Sequence, residues 1–352
     1  MIGTRPEAIK LAPVARALAD LGVAPTLTLT GQHPALDPAD FGLDSFPEQR
    51  LDCPGEQDPH RHVGAVMQAV LPLLAPAPDL VVVQGDTSSA LGGALAGFSR
   101  GVPVAHVEAG LRTFDPRLPW PEEEYRTAID ANAQLLFAPT ETAAANLRAE
   151  RVPGEIHVTG NTSIDAVLAA EAALPPPPPR RSSLPLLLVT AHRRESWGEG
   201  LRSIAAALTD LSADAEIDFV LHPNPHVAAT MRELLGGHQN IRLVEPCGHR
   251  ELVQRIRSAD LVLSDSGGIQ EEAPALGVPL LVLREKTERP EGIAEGSATL
   301  VGTSTKRIVT EARQLLADRS KLGAMRRRAF PYGDGKSGPR IAVIIDEWLK
   351  RK

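Results

Sequence analysis

Leu174-Pro175-Pro176-Pro177-Pro178-Pro179-Arg180 breaks a rhythm, and Leu186-Leu187-Leu188-Val189-Thr190 starts it again. Five consecutive prolines have no amide donors and a fixed φ, so no helix continues through them and stiff polyproline II is favoured. The alternative is a surface loop inside one domain. We read residues 174–184 as a linker between domains at 1–173 and 185–337, with a C-terminal helix at 338–352 that returns to the first domain.

Upstream of the prolines, short apolar runs alternate with helical patterns. Val23–Thr30 reads as a strand. Asp58-Pro59 reads as an N-cap followed by proline at the first helical position. Val63, Val66, Met67, Val70, Leu73 and Leu74 then recur at helical spacing. Strands follow at 79–84, 102–107, 135–138 and 156–159, with helices at 88–99, from about Glu122, and at 141–150. Downstream, strands are expected at 186–190, 217–221, 241–244, 261–264 and 280–283. This alternation predicts parallel sheets covered by helices on both faces. The fold class is therefore α/β, two Rossmann-like doubly wound domains facing a cleft. One feature departs from it. A doubly wound domain opens on an apolar strand, but only Met1-Ile2 precede Gly3-Thr4-Arg5-Pro6. Either that strand is missing or the start was assigned too late.

Composition narrows the function. The 352 residues are 43% hydrophobic and 23% charged, ordinary for a globular chain of about two domains. A net charge of −7 with 3% aromatics argues against nucleic acid as a partner. Cys53 and Cys247 stand apart, so neither a disulfide framework nor a cysteine metal site is expected, and a reducing cytoplasm fits. No apolar run approaches a membrane span of about 20 residues.

Strand after strand ends in a polar cluster: Gly85-Asp86-Thr87, Glu108 to Arg112, Ala191-His192-Arg193-Arg194-Glu195, His222-Pro223-Asn224, and Ser264-Asp265-Ser266-Gly267-Gly268. Ligands of open α/β sheets bind beyond these ends, and a site in the interdomain cleft follows. Ser266-Gly267-Gly268 before a helix suits a phosphate, and Glu271 or Glu272 a ribose, without a P-loop lysine. The bland alternative is a tight strand-to-helix turn. Arg5 and Lys10 head a helix as phosphate cations or as a solvated first turn. Arg289 is a further cation, or a surface salt bridge. Asp86 is an acid/base candidate or a helix N-cap. Glu122 is another, or an ordinary first-turn acid. Glu108 ends an apolar strand, where an unpaired charge is costly, so it needs a partner or a job. His192, beside two arginines, reads as functional. His222 and His226 lack an acidic partner at metal-site spacing, and no metal or separate cofactor is expected.

In order along the chain, Gly3–Lys10, Gly85-Asp86-Thr87, His106–Thr113, Pro119–Glu123, Thr159-Gly160-Asn161-Thr162, His192–Ser196, Ser264–Pro274, Thr287–Glu291 and Pro331–Gly335 together resemble the non-hydrolysing UDP-N-acetylglucosamine 2-epimerases. The resemblance spans nearly the whole chain. It implies a GT-B-like pair of domains, a homodimer, and interconversion of UDP-GlcNAc and UDP-ManNAc through UDP elimination to 2-acetamidoglucal and re-addition. It assigns catalysis to Asp86, Glu108, Glu122 and His192, with Asp86 and Glu122 as the acid/base pair. It assigns UDP and substrate binding to Arg5, Lys10, Arg112, Arg194, Ser266, Gly267, Gly268, Glu272 and Arg289. Gln32-His33 resemble part of a second site at which UDP-GlcNAc acts as an allosteric activator, although Pro34-Ala35 differ from the longer polar residues expected there. Cys247–Leu252 stands where the family often has aromatics near uracil. Rival readings are a 2-epimerase of a modified UDP sugar such as a diacetamido uronic acid, a GT-B glycosyltransferase, a UDP-sugar-binding regulator, and a hydrolysing epimerase.

Overall fold

A computed structural model describes residues 1–191 and 197–352. The chain divides into two compact units, Met1–Ala166 with Tyr332–Lys352, and Val167–Pro331. In chain order the first unit carries α1 (Arg5–Asp20), β1 (Leu27–Leu29), β2 (Glu48–Arg50), α2 (Pro59–Val70), β3 (Val81–Gln84), α3 (Ser88–Arg100), β4 (Val104–Val107), α4 (Glu122–Asp130), β5 (Leu135–Ala138), α5 (Glu141–Glu150) and β6 (Glu155–Val158). Helix α6 (Thr162–Ala172) contains the division at Ala166/Val167, so the boundary lies in a helix and not in the proline run. The second unit carries β7 (Leu186–Thr190), α7 (Glu199–Leu211), β8 (Glu216–Val220), α8 (Pro225–Leu235), β9 (Ile241–Val244), α9 (His249–Ser258), β10 (Leu261–Ser264), α10 (Gly267–Ala275), β11 (Leu280–Val282), α11 (Glu291–Ala294), β12 (Ala298–Leu300), α12 (Thr305–Ala317) and α13 (Arg319–Met325). The chain rejoins the first unit at Tyr332, before the expected boundary at 337, and ends in α14 (Ser337–Lys350).

All strand pairs are parallel. In the second unit one sheet runs β12-β11-β10-β7-β8-β9. The order reverses between β7 and β10, and ligands of such sheets bind beyond the strand ends at that point. There Thr190 and Ser264 join hydroxyls at 2.7 Å. In the first unit β3-β4-β5-β6 form one sheet and β1-β2 another. Met1-Ile2 stitch the two together. The Ile2 amide donates to the Thr28 carbonyl, the Thr30 amide donates to the Ile2 carbonyl, both at 2.9 Å, and the Met1 amino group donates to the Val82 carbonyl at 3.0 Å. Met1-Ile2 thus lie between β1 and β3 and bond to both.

Strands β4 and β5 are buried along their whole length, as their apolar sequence dictates for a sheet covered on both faces. Val83, Val104 and Leu136 pack toward α2 and α3, while Val107, Leu135 and Phe137 pack on the other side with α1 and α14. Gly338 lets α14 lie close on α1, because a Cβ there would meet the Pro13 Cβ at 2.7 Å. The expected strand over 23–30 shortens to β1. The Val23 amide donates to the Leu18 carbonyl at the end of α1, and Pro25 has no amide to give.

Candidate active site

At the head of α1, Thr4 is the N-cap and Glu7 completes a capping box. One Glu7 oxygen accepts from the Gly3 and Thr4 amides at 2.9 and 2.6 Å, and the other accepts from the Thr87 hydroxyl at 2.6 Å. Burial pushes the Glu7 carboxyl up, against these hydrogen bonds. This one side chain fastens the Gly3-Thr4 turn to the turn after β3. Gly3 is required there, since a Cβ would strike the Ser89 hydroxyl at 2.1 Å. Arg5 is exposed, whereas Lys10, one turn on, is buried with its ammonium 2.6 Å from Glu108. Lys10 is therefore not part of a solvated first turn.

Asp86 follows Gly85, whose φ of 68° turns the chain sharply off β3. The N-cap of α3 is Thr87, so Asp86 is free of the capping role. Its carboxylate, 28% exposed, lies 2.5 Å from the buried Arg126 guanidinium. Arg126 sits one helical turn after Glu122 on α4, and its Nε donates to the Glu122 carbonyl at 3.3 Å. It thereby ties Asp86 to the turn that Glu122 begins. Among the three acids of that turn, Glu123 is structural: it accepts from the Thr113 and Phe114 amides at 2.9 Å each. Glu122 is half-buried and Glu124 exposed.

Glu108 has φ 73°, a left-handed conformation that a non-glycine residue adopts only when its surroundings hold it there. Those surroundings are three donors. Oε1 accepts from Lys10 at 2.6 Å and from the Asn161 amide at 2.9 Å, and Oε2 accepts from Gln84. Asn161 is itself fixed, because its backbone amide donates to the Tyr332 carbonyl at 2.6 Å. The Thr159–Thr162 and Pro331–Gly335 motifs therefore meet beneath Glu108.

Arg112 is elsewhere engaged. Its guanidinium contacts Asp130 at 2.8 Å and Glu150 at 2.6 Å, and its side chain is 2% exposed. Asp130 also faces the His106 Nδ1 at 2.6 Å, while the His106 Nε2 faces the Gly85 carbonyl at 2.8 Å. Burial opposes ionisation of Asp130, but His106 and Arg112 overcome it and hold the carboxyl below its ordinary value. Arg112, assigned to UDP and substrate binding by the resemblance, is buried in these pairings and braces, through Asp130 and His106, the turn that carries Asp86. Gln32 accepts from the Ser89 hydroxyl at 2.7 Å, and the His33 backbone amide donates to the Gly3 carbonyl at 3.0 Å. Burial and nearby Arg5 push the His33 imidazolium down.

In the second unit Ser266 is the N-cap of α10, with its side chain uninvolved in capping. Gly267 has a reason other than ligand approach: a Cβ there would meet the Arg289 guanidinium at 2.8 Å. Arg289 is buried, not a surface cation. It lies 2.5 Å from Glu271 and also contacts Glu288. A Cβ at Gly268 would meet only the Ser266 hydroxyl, at an ordinary 3.9 Å. Glu272 is buried and 3.0 Å from His249 at the head of α9. Burial pushes His249 down, but facing Glu272 more than offsets this and holds it above its ordinary value. His192 and Arg194 lie outside the described residues.

Sequence reading missed Arg126 and His249. Arg126 carried a signal, an arginine one turn beyond a catalytic candidate on a helix. His249 lay in Cys247–Leu252, the segment the resemblance sets near uracil, but its pairing with Glu272, 23 residues away, was not legible. Among the described residues no cluster of His, Cys, Asp and Glu is arranged to hold a metal. No helix is long and apolar enough to cross a membrane among the residues described.

A family profile described as UDP-N-acetylglucosamine 2-epimerase matches residues 16–346. The chain belongs to that family. The UDP-N-acetylglucosamine 2-epimerase of Salmonella typhimurium is 42% identical over 99% of this chain and 98% of its own length. The Neisseria meningitidis enzyme, solved bound to UDP-GlcNAc, superposes with a TM-score of 0.92 at 35% identity, covering 99% of this chain and 98% of that one. The Methanocaldococcus jannaschii enzyme, solved with UDP-GlcNAc and UDP, gives 0.84 at 33% identity over 98% of each chain. The family's members are isomerases, and the fold is of the GT-B-like type its solved structures share.

Proposed function

We propose that this chain interconverts UDP-GlcNAc and UDP-ManNAc by eliminating UDP to give 2-acetamidoglucal and adding it back. The observation that carries the proposal is the Asp86–Arg126 pair, in which a partly exposed carboxylate meets an arginine one helical turn after Glu122 on α4. In the forward step a carboxylate takes the C2 proton, the C1–O bond to UDP breaks, and a C1–C2 double bond remains. In the return step the other carboxylate delivers a proton to the opposite face of C2, and the UDP oxygen re-forms its bond to C1. The C2 proton is not acidic on its own, so stabilising the departing diphosphate governs the barrier. Asp86 and Glu122 are assigned as the acid/base pair.

Glu108, held by Lys10, Asn161 and Gln84, is fixed by donors on both oxygens, which suits positioning the sugar more than moving a proton. Lys10 then acts through Glu108. Glu272 with His249 suits the ribose of UDP, and Ser266, Gly267 and Gly268, with Arg289 behind them, suit its phosphates. Arg5 is an exposed cation for the same anion. His192 and Arg194 take the same supporting part by motif alone. The homodimer, a cytoplasmic setting and a second, activating UDP-GlcNAc near Gln32 and His33 belong to the same reading. The His33 amide is bonded to Gly3, next to Arg5, which gives that second site a route to the first.

The test is product analysis with the Glu122→Gln and Asp86→Asn variants. Loss of the carboxylate that takes the C2 proton should stop elimination, and loss of the one that returns a proton should let UDP and 2-acetamidoglucal accumulate from UDP-GlcNAc. Release of free ManNAc by the unaltered chain would replace this reading with hydrolysis.

A further inference from the structure

Strand β8 has two unlike faces. Ile217 and Phe219 enter the apolar core of the second unit. Asp218, between them, points the other way, as does its cross-strand partner Arg242 on β9. A groove of about 1050 Å³ opens over that face, walled by α9 and by Pro175 and Pro177–Pro179. Its lining belongs to the second unit alone. Leu186 and Glu216, the first residues of β7 and β8, line it, so it reaches the amino ends of the strands. The Ser266-Gly267-Gly268 turn assigned to the phosphates of UDP stands at the carboxyl end of β10.

The chain as a whole is acidic, at −7, yet six arginines and three carboxylates line this groove. Three of the arginines share buried Asp218: Arg181 at 2.8 Å, Arg255 at 3.4 Å, and Arg242. Glu216 faces Arg181 at 3.3 Å and Glu251 faces Arg255 at 2.6 Å, which brings this trio to balance. The other three leave a surplus of positive charge. Arg180 divides Asp260 with Arg326, and Arg257 divides Glu171 with Arg328. Arg250 donates to the Ala173 carbonyl and meets no carboxylate among the described residues. A guanidinium has five N–H donors, and those of Arg181 and Arg242, both nearly half exposed, are not used up by their acidic partners. Beside Arg250, Gly248 begins α9 with no side chain capping the first-turn amides, and a Cβ there would meet nothing within 4 Å.

We propose that this groove is a binding site for a diphosphate group, carried by a small phosphate compound and distinct from the site assigned to UDP. Guanidinium forks match phosphate oxygens in pairs, and arginines set on β9, on α9 and just after the prolines span more than one phosphate. The diphosphate supplies the negative charge that the surplus lacks. The proline wall has no amide donors and suits the face of a ring, as a nucleoside would bring. The inference does not rest on the epimerase reading.

The test titrates inorganic pyrophosphate, ATP and inorganic phosphate, free of divalent cations, into the whole chain. NMR follows the amides of Gln254 and Ser258, which line the groove. Pyrophosphate should saturate their shifts below about 1 mM, and phosphate should bind at least about tenfold more weakly. Arg242→Gln should weaken pyrophosphate about tenfold, the worth of one charge-assisted hydrogen bond. Asp218→Asn should tighten it by about the same factor by releasing the three arginines, a gain that a misfolded variant would not give. Tighter binding of ATP than of pyrophosphate would identify a nucleotide as the carrier, and equal or weaker binding an inorganic diphosphate. No saturation at those amides by pyrophosphate or ATP, phosphate bound as tightly as pyrophosphate, or affinity unchanged in either variant would overturn the proposal.

Discussion

The strand ends of the two units hold their charges differently. In the first, Asp86 meets a single guanidinium and keeps a partly exposed carboxylate, while its neighbour Glu108 is enclosed by three donors. In the second, Glu272 is buried against His249, and Arg289 lies between Glu271 and Glu288 under a glycine turn. A carboxylate with an open side can exchange protons with a ligand, whereas one whose lone pairs are occupied can only hold position. On the proposed function we therefore assign the chemistry to the first unit and the grip on the nucleotide to the second.

Breaking the first half should cost the most. Asp86→Asn keeps the size of the side chain but removes its proton affinity. The C2 exchange rate and kcat should fall about 10³-fold, within the range for lost general acid–base catalysis, while KM changes little. Lys10→Met should leave Glu108 as an uncompensated buried charge. The expected loss is about 3–5 kcal/mol in denaturant unfolding, with much of it recovered when Glu108→Gln is added.

The Met1 amine gives a pH dependence of opposite character. Its folded value is about 6 against an ordinary 8.0. Between those values the unfolded chain binds more protons than the folded one, so stability should rise by about 2–3 kcal/mol as pH goes from 6 to 8. Unfolding curves across the interval will show that rise.

Glu272→Gln should produce the smallest effect and the opposite kinetic pattern from Asp86→Asn. KM for UDP-GlcNAc should rise about tenfold with kcat nearly unchanged, as when uniform binding is removed. His249 is raised in the fold, so its pairing stabilises fully below pH 6.5 and is lost as pH climbs through the folded value. The variant should lose that dependence in thermal unfolding measured across pH 6 to 8.

Much of the architecture was legible because buried parallel strands are runs of apolar residues. Leu135–Ala138, Leu186–Thr190 and Leu261–Ser264 stand where the sequence placed them. Asp58-Pro59 begins α2 with the Asp58 carboxylate capping the His60 amide. Strand β2, Glu48-Gln49-Arg50, was not readable: it is exposed throughout and pairs with β1 on tertiary grounds alone. Pro25, which has no amide, and the Val23 amide bonded back to α1 explain why β1 is shorter than its apolar pattern. Among site residues, the need for a partner at Glu108 was legible from its place on an apolar strand. That the partner is Lys10, 98 residues away, was not. The bracing of Asp130 by Arg112 and His106 was likewise hidden, since it depends on three separate elements meeting in one buried spot.

In the proposed function the first unit moves the C2 proton. A proton NMR time course with UDP-GlcNAc in D2O tests it most directly. UDP-ManNAc should appear with deuterium at C2 of the sugar, and Asp86→Asn should suppress that incorporation while UDP still binds. Epimer formed with its C2 hydrogen retained, or normal deuterium incorporation by Asp86→Asn, would contradict the account.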